Sequence, residues 1–202
     1  MKKTVLFLAA IILAAFTVKG QGMTQEERAA IVKQFEDTKA NLLKEINGLS
    51  DAQMKFKPAP DRWSVADCLE HITISEKALF GMEQNAMAQP ANPDKRKEIK
   101  VTDEALAQRI ADRSKKAKAP EQIQPKGTFA TTAEAVQAFT EQRDKIIDYV
   151  KTTNDDVRNH VADMPMGSPM DAYQILILVA THSGRHTQQI QEVKADPGFP
   201  KE

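Results

Sequence analysis

Residues 173–193 read YQILILVATHSGRHTQQIQEV, and this stretch decides the fold. Ile175, Leu176, Ile177, Leu178 and Val179 run consecutively in its first half, and the second half turns polar around His182 and His186. The proline-free stretch that holds this run has the length of a helix rather than a strand, and its all-round apolar half marks it as buried. Pro169 precedes it and Pro197 follows it, so a helix is expected over residues 170–195. Two histidines four residues apart then share one face, one turn apart.

Working outward, three more strong helices precede this one. Thr24 followed by Glu27 forms a capping box. The helix it opens is expected to run to about Leu49, with Ile31, Phe35, Leu42, Leu43 and Ile46 on one stripe. Pro58 and Pro60 forbid a helix beyond it. Ser64 caps a second helix over residues 64–87, with Val65, Leu69, Ile72, Leu79 and Phe80 inward and Pro90 and Pro93 beyond its end. A third spans residues 132–152, with Val136, Phe139, Ile146 and Val150 inward. In the charged connector, residues 102–118 are expected to form a short exposed helix with a thin apolar face of Leu106 and Ile110. No segment alternates as a strand does. The expected fold is all-α: an antiparallel four-helix bundle with a short extra helix in the connector, a class that builds metal sites from side chains on facing helices.

Lysine plus arginine equals aspartate plus glutamate at 28 each, so the net charge is zero and no basic excess points to nucleic acid. Cys68 is the only cysteine, which excludes an intrachain disulfide. At the N-terminus, Lys2 and Lys3 precede the apolar run VLFLAAIILAAF (residues 5–16), and Gly20 and Gly22 follow. This is the layout of a secretory signal peptide over residues 1–20, cut after Gly20 with Val18 and Gly20 as the small residues before the cut. An uncleaved anchor is the alternative. The apolar run is short for a membrane span, and no cysteine lies near the cut to carry a lipid. The mature protein is therefore expected to be exported, periplasmic or secreted, and free of the membrane. Residues 23–196 have the length of one domain.

His71, His182 and His186 are the candidate metal ligands: two imidazoles from one helix and one from another hold three corners of a site and leave the rest open. Spacing leaves the alternative open that His71 is a hydrogen-bonded core residue and the pair a polar helix face. His160, in a polar stretch, reads as a solvated surface residue. Cys68, one turn before His71, is a fourth ligand or a small apolar filler. Glu70 and Glu76 either orient an imidazole or are solvent-exposed charges. Arg185 either meets an anionic substrate or pairs with a nearby carboxylate, and Gln188 and Gln189 share that ambiguity. No His-Glu-x-x-His motif is present, so no built-in general base accompanies the histidines.

The segments RWSVADCLEHI (residues 62–72) and ATHSGRHTQQI (residues 180–190) resemble the second-helix and last-helix motifs of the DinB-like superfamily (DinB/YfiT type). The resemblance extends from about Met23 to Ala195. It implies a bundle in up-down-down-up order, often dimeric, with a divalent metal, commonly nickel or zinc, on three histidines, by position His71, His182 and His186. It implies a metal-dependent hydrolase of a small molecule. Other members are thiol-dependent transferases or isomerases, and a non-catalytic bundle stabilised by its metal is a further alternative. The expected export disfavours the thiol reading, because thiol cofactors are scarce outside the cytosol. Three neutral imidazoles leave a divalent ion its full charge, which activates a bound water or keeps a thiolate deprotonated.

Overall fold

The computed structural model describes residues 22–116, 118–165 and 167–201. The expected export signal, residues 1–20, lies outside the described residues. Among those described, no helix is long and apolar enough to cross a membrane.

Helix α1 spans Gln25–Ile46 and opens on the expected box: the Glu27 amide donates to Thr24 Oγ1 at 3.1 Å, and the Thr24 amide donates to Glu27 Oε2 at 2.9 Å. Ile31, Phe35, Leu42 and Ile46 are buried along its stripe. It ends three residues before the expected Leu49, because Gly48 turns the chain at φ +74°, a conformation costly for other residues. Ser50 then caps a short α2, Asp51–Lys55, through a second box with Gln53. Ser64 caps α3, Val65–Met87, in the same way: the Asp67 amide donates to Ser64 Oγ at 3.1 Å, and the Ser64 amide to Asp67 Oδ2 at 2.9 Å. Ser64→Ala is expected to cost about 1–2 kcal/mol in urea unfolding, since it strands a donor at a buried helix start. An unchanged midpoint would refute the cap's role.

Helix α4 spans Asp103–Ala111, α5 Thr132–Thr152 and α6 Ala172–Lys194. Two departures from expectation occur here. The connector helix stops at Ala111 instead of reaching 118; Glu104, Ala105, Gln108 and Arg109 are exposed as expected, and its thin apolar face docks on the core, with Leu106 buried. The last helix begins two residues later than expected, because residues 170–171 pair with residues 161–162. Val161–Ala162 (β1) and Met170–Asp171 (β2) form an antiparallel ladder, with Val161 opposite Asp171 and Ala162 opposite Met170. Asp171 then caps α6, accepting from the Gln174 amide at 2.8 Å.

Side-chain pairs fix the helix directions. Gln34 bonds Thr181 and Lys194 bonds Glu45, so α1 and α6 run parallel. Arg143 bonds Glu76 and Tyr149 bonds Glu83, so α3 and α5 run parallel. Arg28 reaches the Val150 carbonyl and Lys39 pairs with Asp144, so α1 and α5 are antiparallel. The start of α3 (Leu69, Ile72) packs with the end of α6 (Ile190, Val193), while Leu79 and Phe80 pack with Tyr173 and Leu176, so these two are antiparallel. The order is up-down-down-up. Parallel neighbours α3 and α5 force the connecting chain back along the bundle, about 30 Å at 1.5 Å per helical residue. That is why the connector is long, and it brings its second half to the end where α3 begins and α6 finishes.

The core has two apolar clusters, one at each end. Between them lies a buried ion pair, Glu76 with Arg143, the guanidinium 5.1 Å from both the Phe35 and the Phe139 ring centroids. Glu76 is thus a core residue rather than an exposed charge. Glu83 is also fully buried. Burial pushes its carboxyl up to about 7, against hydrogen bonds from Gln84 and Tyr149. The native chain holds a proton between its ordinary value of 4.5 and about 7 that the unfolded chain has released. Stability therefore falls as pH rises through that window. Glu83→Gln is expected to raise the melting temperature at pH 8, by the equivalent of about 2–3 kcal/mol, and to change it little at pH 5. Equal shifts at both pH values, read by circular dichroism, would contradict this.

Candidate metal centre

His71 stands in the second turn of α3 and is 1 % exposed. His182 and His186 stand one turn apart in the second half of α6, at the point where its antiparallel partner α3 begins. The three side chains meet: one ligand nitrogen from each lies within 4.8 Å of the other two. His71 Nε2 is 3.4 Å from His182 Nε2, and His182 Nε2 is 3.2 Å from His186 Nε2. Two nitrogens on one tetrahedral zinc, each about 2.0–2.1 Å from it, are about 3.3–3.4 Å apart.

Hydrogen bonds on the far side of the rings set the tautomers. His71 Nδ1 donates to the Ile123 carbonyl at 2.6 Å, and His186 Nδ1 donates to Gln189 Oε1 at 2.9 Å. Both Nε2 atoms therefore present bare lone pairs inward. His182 Nδ1 is buried without a partner among the described residues. If His182 turns its proton inward it satisfies one of the two facing lone pairs, and the Ser75 hydroxyl lies 3.4 Å from His71 Nε2. A cation satisfies all three.

Burial, the largest cause, also keeps the rings neutral. It lowers His71, takes His182 to about 3 and takes His186 to about 2; the mutual repulsion of the rings, were they charged, adds to the last two. Neutral imidazole is the ligating form. The Trp63 ring covers the cluster, its centroid 4.7 Å from His71 and 5.7 Å from His186.

The other candidates separate cleanly. Cys68 is wholly buried in the apolar cluster, and burial pushes its thiol well up, so it is a filler and not a ligand in the group. Glu70 is 6 % exposed, not a surface charge. Burial raises its carboxyl, but hydrogen bonds from Lys126, Thr128 and Gly127 outweigh that and hold it below its ordinary value. Arg185 donates to the Ile110, Asp112 and Lys115 carbonyls and has no carboxylate in a salt bridge among the described residues. It caps the Ile110 carbonyl at the end of α4, while the Asp112 carboxylate takes the Ser114 amide that a continuing helix would give to that carbonyl. Gln189 is the His186 partner and also accepts from Arg113 at 3.3 Å, whereas Gln188 is exposed. His160 is half-buried rather than solvated, its Nδ1 3.1 Å from the Ala86 carbonyl, and it stands apart from the cluster. Sequence reading missed Ile123 and Arg113, which reach the centre only because the connector folds back.

The profile of the DinB superfamily matches residues 34–190, from within α1 to the last turns of α6. YuaE, an uncharacterized protein of Bacillus subtilis (strain 168), is 23% identical over 160 residues, covering 79% of this chain and 94% of YuaE. Among solved structures, YfiT from Bacillus subtilis is described as a probable metal-dependent hydrolase with an unusual four-helix bundle topology. It aligns at a TM-score of 0.61 and 14% identity, covering 88% of this chain and 91% of YfiT. At that identity the likeness speaks for the fold alone. The matched span takes in all three clustered histidines and every helix of the bundle, and on that span the chain belongs to the DinB superfamily.

Proposed function

We propose that this protein is an exported metal-dependent hydrolase acting on a small molecule, with one divalent ion, zinc or nickel, held by His71, His182 and His186. The observation that carries the reading is the convergence of three neutral imidazoles, two of which, His71 and His186, are held in the tautomer that leaves the Nε2 lone pair facing the cluster. The description of YfiT supports the reaction class, and the layout of residues 1–20 supports export. Imidazole serves zinc and nickel alike.

Ile123 and Gln189 hold two of the rings in the ligating tautomer, and Trp63 shields the cluster from bulk water. Three protein ligands leave a further position open, where a divalent ion would act as a Lewis acid and bring the pKa of a water toward neutrality. The two candidate carboxylates are committed elsewhere, Glu70 to the connector and Glu76 to Arg143. The chain's part is therefore to bind, orient and exclude water.

Cobalt substitution tests the open position. Azide is expected to shift the visible spectrum of the cobalt-loaded protein, and a screen of ester, amide and phosphoester substrates is expected to find turnover that His186→Ala abolishes. A cobalt spectrum indifferent to azide and imidazole would mark a closed, structural site and overturn the hydrolase reading.

A further inference from the structure

The connector's second half is tied down across the histidine end. Arg185 takes three of its carbonyls, and Arg113 clasps Glu192 at 3.0 and 2.7 Å. The third tie is Glu70. Its carboxylate accepts from the amides of Lys126 at 2.8 Å, Gly127 at 3.0 Å and Thr128 at 3.0 Å, and from the Thr128 hydroxyl at 2.7 Å. Gly127, at φ +74°, lets three successive amides turn toward one carboxylate, an anion-holding nest made from backbone.

Glu70 is the residue immediately before His71, and the loop it grips begins three residues after Ile123, whose carbonyl takes the His71 Nδ1 proton at 2.6 Å. The helical turn at Glu121–Ile123 buries none of its residues. Ile123 is only half-buried, and Gln124 ties the turn to the Ala119 carbonyl inside the same connector at 2.7 Å, so the nearest hydrogen bonds along the chain that anchor this turn to a bundle helix, His71 itself apart, are those of the Glu70 nest.

We infer that Glu70 is a positioning residue for the metal centre: by gripping residues 126–128 it sets the Ile123 carbonyl, which fixes the tautomer and orientation of His71. This rests on the reading of the histidines as metal ligands. Groups that orient a ligating imidazole are worth about 10–100-fold in metal affinity, and one acting through a loop belongs at the lower end.

The test compares wild type, Glu70→Gln and Asn92→Ala. Glutamine keeps the shape but loses one of the two acceptor oxygens. Asn92 ties the other end of the same connector, bonding both the amide and the carbonyl of Val161 at 2.8 and 3.0 Å, and makes no hydrogen bond to His71, His182 or His186. Zinc affinity is read by competition with a chromophoric chelator, and the His71 tautomer by side-chain nitrogen NMR of the metal-free protein. Glu70→Gln is expected to raise the zinc Kd about tenfold and to move the His71 nitrogen shifts from a fixed Nδ1–H form toward a tautomer mixture. Asn92→Ala is expected to lower the melting temperature and leave both readings unchanged. The inference is overturned if Glu70→Gln keeps the wild-type Kd and shifts, or if Asn92→Ala moves them equally. Should Glu70→Gln fail to fold, Thr128→Val removes one of the four bonds and is expected to show the same changes in smaller measure; wild-type values there overturn the inference. If wild type itself binds no zinc, the metal reading fails, while the metal-free His71 shifts still decide the role of Glu70.

Discussion

Arg143→Ala is expected to destabilise the protein by about 3–5 kcal/mol, the largest effect of any substitution distant from the histidines. Arg143 is fully buried, pairs with a carboxylate that is 1 % exposed, and donates to the Phe35 carbonyl at 2.8 Å and to Thr38 Oγ1 at 2.7 Å. Its removal strands the Glu76 charge, orphans those two acceptors and opens a void between Phe35 and Phe139. A single domain has about 5–15 kcal/mol of stability to lose, so the variant is expected to be largely unfolded near its original melting temperature. Replacing both partners by apolar groups of similar volume, Arg143→Met with Glu76→Leu, is expected to recover most of the loss, because a buried pair repays little beyond its own desolvation. Urea unfolding checks both. A single variant within 1 kcal/mol of wild type would mean that the pair is hydrated and dispensable.

The second large effect concerns the histidines. Zinc in thousandfold excess over its Kd is expected to stabilise the wild type by about 4 kcal/mol through binding to the native state alone. In His182→Ala/His186→Ala the same zinc is expected to add nothing, since one imidazole remains of the three. The metal-free variant is expected to stay folded, because His182 and His186 lie beneath a connector held independently by Glu70 and by the Arg113–Glu192 pair. Calorimetric melts with and without zinc measure both quantities. An equal zinc shift in the double variant would place the metal elsewhere.

Much of this was legible in the residues. Thr24 and Ser64 announced the starts of α1 and α3, because a capping side chain acts within three residues of itself. The pairing of His182 with His186 was legible because a helix fixes which side chains share a face, and their meeting with His71 on another helix was what the resemblance of the two motifs implied. Glu76 and Arg143 carried a signal that their charge concealed. Arg143 falls on the stripe of Val136, Phe139, Ile146 and Val150, and Glu76 on that of Leu69, Ile72, Leu79 and Glu83, so spacing alone assigns both to the core. What the residues did not disclose is long-range. The Ile110 carbonyl at the end of α4 is capped by Arg185, some seventy residues away. The buried state of Glu70 is set by a loop more than fifty residues on. The Val161–Ala162 pairing involves two residues per strand, too few to leave an alternating pattern.

Elemental analysis of the purified protein, expressed from residue 21 onward and set beside His182→Ala/His186→Ala, tests the three-histidine centre most directly. About one zinc or nickel per chain in the wild type, with none in the variant, is the expected result. A wild type without bound metal after loading with both ions would contradict the centre, and leave His71, His182 and His186 as buried polar residues of a helical bundle.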